Sequence, residues 1–138
     1  MPIAEGTSIN WVGSSTPVNS ASWTPEASAC ILLAIGMRTV TIVPTVSGNG
    51  LSWTNHTDIT DDDNQNRIFL FRASGSGSAG AISVTVTGNA KPVCCAACAF
   101  TGVDTAVNDG VEAVSTYRSP AGDDNDLLGS VTTLTDNA

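Results

Sequence analysis

Positive charge is nearly absent from this chain. Its 138 residues include five Lys and Arg against thirteen Asp and Glu, a formal net charge of −8. Phosphate backbones are held by clusters of basic side chains, so nucleic acid is excluded as a direct partner. Long apolar runs are missing as well. The longest, Ala29 to Ile35, falls far short of the roughly 20 residues a spanning helix needs, and no membrane role is expected. The opening residues, M-P-I-A-E-G, have no basic or hydrophobic leader segment. That predicts a chain made and assembled in the cytoplasm, which Met1 favours, with a leader already removed as the alternative. Aromatic residues make up only 5% of the chain, too few for the stacking rings that line sugar-cleaving clefts. His56 is the one histidine. A Ser-His-Asp site could be drawn with Asp58, but no G-x-S-x-G elbow exists to present the serine. No catalytic residue, cofactor or enzymatic activity is therefore expected. Amphipathic helical periodicity and fixed-period repeats are also lacking.

What the chain does have is alternation. At 14.0 kDa and 41% hydrophobic residues, it is long enough for one domain over 1–138 with a two-layer core. The stretch from Arg67 to Asp104 holds three strand-length apolar runs, R-I-F-L-F-R-A, A-I-S-V-T-V-T-G and V-C-C-A-A-C-A-F, separated by turn residues. Their spacing predicts an antiparallel meander. Ile82, Val84 and Val86 alternate with Ser83, Thr85 and Thr87, giving one dry face. The flanking runs, over Ile68 to Phe71 and Val93 to Phe100, are apolar on both faces, which predicts that they lie deeper.

Further strands are predicted over Thr7 to Gly13, Ala21 to Thr24, Ala29 to Met37, Arg38 to Val43, Leu51 to Ile59, Val111 to Tyr117 and Ser130 to Leu134. Turns are predicted over Ser14 to Ser20, Pro25 to Ser28, Pro44 to Gly50, Thr60 to Asn66 and Ser119 to Asp126. Gly48-Asn49-Gly50 is the strongest turn signal. Nine or ten short strands at this spacing predict an all-β antiparallel two-sheet sandwich, jelly-roll-like.

Three groups of residues invite chemistry. Cys94, Cys95 and Cys98 spell C-C-x-x-C, but on a strand Cys94 and Cys98 share a face roughly 13 Å apart. That distance is too long for one zinc ion or a disulfide, and Cys95 points the other way. They are expected to be small buried side chains, with a cross-strand disulfide to Cys30 and a metal site as alternatives. Asp61, Asp62 and Asp63 open a tip of calcium-like oxygen density, with a weaker cluster at Asp123, Asp124 and Asp126. The glycine and distal glutamate of an EF-hand are missing. A solvated hairpin tip is the plainer expectation, with contact to a partner or a loose calcium site beside it. Of the tryptophans, Trp53 is expected in the core. Trp23, beside a proline and near an edge, is the candidate for ligand or partner contact.

From Pro44 onward the landmarks follow a familiar order. Trp53-Thr54 precedes R-I-F-L-F-R-A at 67–73, A-G-A-I-S-V-T-V-T-G at 79–88, a small-residue run at 94–99 and F-T-G-V-D at 100–104. With I-N-W-V-G at 9–13 and the C-I-L-L-A run, this resembles a β-sandwich domain that recurs in phage virion proteins and bacterial surface proteins. The resemblance covers most of the chain and departs from it in two places. Three cysteines stand in the strand that is usually Ala/Val-rich, and the chain ends at D-N-A where such domains add another apolar strand.

The resemblance implies a non-enzymatic virion structural protein, a capsid-decorating or fibre-associated subunit. Its partners would be further copies of itself or other capsid or tail proteins, with the particle assembled in a host cytoplasm. The alternative is a carbohydrate-binding or adhesin module at an extracellular surface, with a glycan ligand and possible help from calcium.

Overall fold

Ile82, Val84 and Val86 are buried and the residues between them are not, as two-residue periodicity requires of a strand with one wet face. The computed structural model describes residues 2–38, 41–61, 65–88, 92–106, 110–118 and 127–133. Among these the chain is all-β, with strands β1 (Ala4–Gly13), β2 (Val18–Asn19), β3 (Ala29–Met37), β4 (Thr45–Gly48) and β5 (Thr54–Thr60). They are followed by β6 (Arg67–Gly75), β7 (Ile82–Thr85), β8 (Val93–Thr101), β9 (Val111–Arg118) and β10 (Leu127–Thr133).

The strands form two packed antiparallel sheets, ordered β1-β8-β3-β6-β5 and β2-β7-β4, with β9 and β10 paired as a separate hairpin. Successive strands mostly alternate between the layers, and β8 returns to lie between β1 and β3. That is a jelly-roll-like path. Ile31, Leu33, Ile35, Phe69, Phe71, Ala97 and Ala99 of the large sheet meet Val18, Ile82 and Val84 of the small one in the main core. A second cluster joins Cys30, Val103 and Val111.

The predicted meander is corrected. β6 and β8 both pair with β3, while β7 lies between them in sequence but belongs to the opposite sheet. Alternation tells which side of a strand is dry and carries no information on which strand lies beside it. The predicted strand over Arg38 to Val43 is also absent from its described residues, 38 and 41–43, and Val43 is 53% exposed. The chain is crossing between layers there, and pairing resumes at Thr45–Gly48, which the sequence reading assigned to a loop.

Val18–Asn19 pairs with β7 inside a segment read as a turn, and Trp23 makes one bridge to Gly80 instead of a strand. Gly48-Asn49-Gly50 is the expected turn. Gly48 takes φ 117°, Asn49 55° and Gly50 65°, and the Leu51 N–H donates to the Gly48 carbonyl at 3.2 Å. Positive φ at both central residues makes it a type I′ turn.

Candidate functional site

Loops at one end of the sandwich are tied together through Trp23 and Asn49. The Asn49 side-chain amide donates to the carbonyls of Trp23 (2.7 Å), Ser78 (3.1 Å) and Gly80 (3.3 Å). The Trp23 indole Nε1 donates to Thr7 Oγ1 at 3.0 Å. Thr7 in turn donates to Glu26, from its backbone N–H at 2.8 Å and its hydroxyl at 3.2 Å. Trp23 is only 8% exposed and belongs to the core. Its ring is covered by this chain's own atoms, so stacking on a glycan would require it to leave that core. Trp53 packs against the same core and donates to the Gly48 carbonyl at 3.3 Å.

Asp61 is 3% exposed and organises the hairpin tip. Its carboxylate accepts from the N–H groups of Gln65 (2.7 Å) and Asn66 (3.0 Å) and from Asn66 Nδ2 (2.7 Å). Those donors offset the cost of burying the charge. They also occupy the oxygens that a cation would use. Asp62 and Asp63 lie outside the described residues, as do Asp123, Asp124 and Asp126. Among the described residues no group of three or more His, Cys, Asp or Glu is placed to hold a metal ion.

All four cysteines are free thiols. Cys94 and Cys98 share one side of β8 and Cys95 takes the other, as strand geometry predicted. The expectation that all are buried is corrected: Cys95 and Cys30 are buried, Cys98 is half-buried and Cys94 is exposed. Burial, reinforced by neighbouring Cys94, pushes the Cys95 thiol up to about 12. Cys98 is also raised, first by burial and then by Glu5, whose carboxylate lies 3.7 Å from its Sγ.

His56 is half-buried on β5 at an irregularity between Asn55 and Thr57. Burial, then the charge of Arg72, lowers its pKa. The Asp58 carboxylate is held by Arg67, through Nε at 2.8 Å and Nη2 at 2.7 Å. The same guanidinium lies 4.6 Å from the Phe69 ring centroid. Asp58 is thus committed to a structural pair.

No protein family, curated protein or solved structure matches the chain.

The largest unexplained feature is the outer face of the five-stranded sheet. Strand register lays its side chains out in rows. Val12, Cys94, Gly36, Ile68 and Ile59 form one, and Asn10, Ala96, Ala34, Leu70 and Thr57 the next. A third runs Ser8, Cys98, Leu32, Arg72 and Thr54. The far end of the face is closed where Cys30 packs under Val103 and Val111. In the first two rows Val12 is 68% exposed, Cys94 and Ala96 are exposed, and Ala34, Gly36, Ile68 and Leu70 are half-buried. Two shallow depressions open on this face, one over Ala34, Leu70 and Ala96, the other beside Gly36, Ile68 and Cys94. Both are open and shallow, with Glu5 at the wall of the first and Arg38, Asp61 and Arg67 at the second, and neither is a deep apolar pocket for a small molecule.

The sequence carried a signal for this face, since β3 and residues 68–71 and 93–100 are apolar on both faces. Such a pattern predicts depth. The structure instead places these strands at the centre of a sheet whose inner side faces the second layer and whose outer side is covered by Val103 and Val111 at the Cys30 end.

Proposed function

We propose that the chain is a non-enzymatic structural subunit of a virus particle, a phage capsid-decorating or fibre-associated protein that works by being built into an assembly. The observation that supports this reading most is the apolar outer face of the large sheet. Contiguous exposed apolar surface on an otherwise polar, net-acidic domain marks a surface that another molecule covers. A sandwich with no helix among its described residues, in which Asp61 at the tip and Asp58 with Arg67 are engaged in structural contacts, fits a part that binds by burial. The resemblance of residues 44–104 to sandwich domains of virion proteins supplies the kind of assembly.

Mass spectrometry of density-gradient-purified particles tests the reading. Stoichiometric peptides of this chain co-migrating with the particle are expected. Its absence from particles, together with retention on a glycan array, would overturn the proposal in favour of an adhesin module.

A further inference from the structure

We propose that the Asn49–Gly50 bond is a modification site, where the chain converts itself through a succinimide to aspartate or isoaspartate, at a rate set by the hydrogen bonds that clamp Asn49. The site does not depend on the assembly reading above.

The turn itself selects a labile pair. Its backbone takes positive φ at Asn49 (55°) and Gly50 (65°), which favours asparagine followed by glycine. A β-carbon at position 50 would also stand 3.0 Å from Ser78 Oγ. Glycine is therefore demanded there, and with no side chain it leaves its backbone nitrogen unshielded beside the asparagine amide. Once that N–H gives its proton to solvent base, the nitrogen attacks Asn49 Cγ. The N–Cγ bond forms, the Cγ–Nδ2 bond breaks, and Nδ2 leaves as ammonia, taking one proton back from solvent. Water then opens the imide. Cleaving the new N–Cγ bond gives aspartate. Cleaving the bond from nitrogen to the Asn49 carbonyl carbon gives isoaspartate, with the main chain rerouted through the former side chain. Solvent supplies every reactant.

The folded chain opposes each step. Asn49 is 3% exposed, which keeps base and water from it. Its leaving nitrogen, Nδ2, is tied to the carbonyls of Trp23, Ser78 and Gly80. No described residue donates to Oδ1, so nothing stabilises the oxyanion that attack creates. Attack also requires the Asn49–Gly50 peptide plane to swing toward Cγ. That plane is pinned, because the Asn49 carbonyl accepts from the Ser78 N–H at 2.8 Å and the Leu51 N–H closes the turn on Gly48. Conversion thus waits for this end of the sandwich to open, and its rate scales with the population of the open form. The change is one-way. A carboxylate at position 49 donates nothing to the three carbonyls, and isoaspartate adds a methylene to the main chain of a tight turn. Either product weakens the closure that had held the reaction off.

The test holds the whole chain in mildly alkaline buffer, folded and in urea, and follows position 49 by peptide mass spectrometry with isoaspartyl methyltransferase labelling. The unfolded chain is expected to convert, and the folded chain to convert at least about tenfold more slowly. Thr7→Val removes the acceptor of the Trp23 indole and loosens the segment that Asn49 holds. It should speed conversion several-fold with the fold retained by circular dichroism. Wild type in graded urea below its midpoint gives an independent reading should that variant not fold, since conversion should rise with the open population. Chains converted at 49 are expected to unfold at lower urea than unconverted ones. A folded chain that converts as fast as the unfolded one overturns the proposal, as does an unfolded chain that does not convert. Unchanged conversion in folded Thr7→Val, a rate indifferent to urea below the midpoint, or converted chains of undiminished stability overturn it equally.

Discussion

The side-chain amide of Asn49 sits 2.7 Å from the backbone carbonyl of Trp23, linking the I′ turn after β4 to the segment that follows β2. The same nitrogen serves Ser78 and Gly80, so one buried residue satisfies carbonyls from two other loops. Asn49→Ala removes those donors and leaves a β-carbon at φ 55°. A loss of about 2–3 kcal/mol is expected from the lost amide bonds and left-handed backbone strain, the Trp23 and Gly80 carbonyls keeping their mutual backbone bonds. Asn49→Asp tolerates the backbone but points an oxygen at three carbonyls, and should destabilise at least as much. Urea unfolding of both variants measures this, and a neutral Asp variant would show that the turn conformation, not the amide, matters.

Asp61→Ala strips the tip of three accepted hydrogen bonds and should cost about 2–3 kcal/mol. The same loss is expected in millimolar calcium and in EDTA, since the donors are protein N–H groups. Thermal melts in both buffers check it.

Gly36→Ala is expected to stabilise the monomer by about 0.4–1 kcal/mol. A β-carbon there meets nothing nearer than the Cys94 carbonyl oxygen at 3.9 Å, and it restricts the unfolded chain. The midpoint of denaturant unfolding, taken at low protein concentration, reports the gain.

Maleimide labelling of the native chain should proceed in the order Cys94, Cys98, then Cys95 and Cys30 only on unfolding, as exposure falls along that series. Thiolate is the reacting form, and burial together with Glu5 holds Cys98 protonated. Glu5→Gln should therefore speed Cys98 while leaving Cys94 unchanged. Peptide mass spectrometry over a time course separates the sites.

His56 gives a small pH dependence of known sign. Burial and then Arg72 lower its pKa from 6.5 in the folded chain. As pH falls through 6.5 the unfolded chain takes up the proton first, so stability declines until the folded pKa is passed and is greatest above 6.5. His56→Gln should flatten that slope in urea midpoints measured between pH 8 and 5.

Much of the sandwich was legible because its determinants are local. Ile82, Val84 and Val86 declare their dry side by alternation, and Gly48-Asn49-Gly50 declares its turn by backbone chemistry. Asp61 could be seen in a hairpin tip, but not as the residue that closes it, because Gln65 and Asn66 become its donors only once the chain has turned. The pairing of β8 with β1 and β3 was hidden, since adjacency depends on contacts between residues far apart in sequence. So was the destination of Trp23, whose burial depends on Thr7, Asn49 and Gly80 arriving from three other segments. The outer face fell between these cases. Its composition was visible, while the number of layers covering it was a property of the whole chain.

The Glu26 carboxylate, bonded to the Thr7 N–H at the free margin of β1, has a bearing on how many molecules can join. Unclaimed strand margins let polypeptides add without limit and grow into ribbons. Here an anion already occupies the donor that an incoming strand would seek, and it would repel a neighbour as acidic as itself. Strand addition at this edge of the large sheet is therefore discouraged.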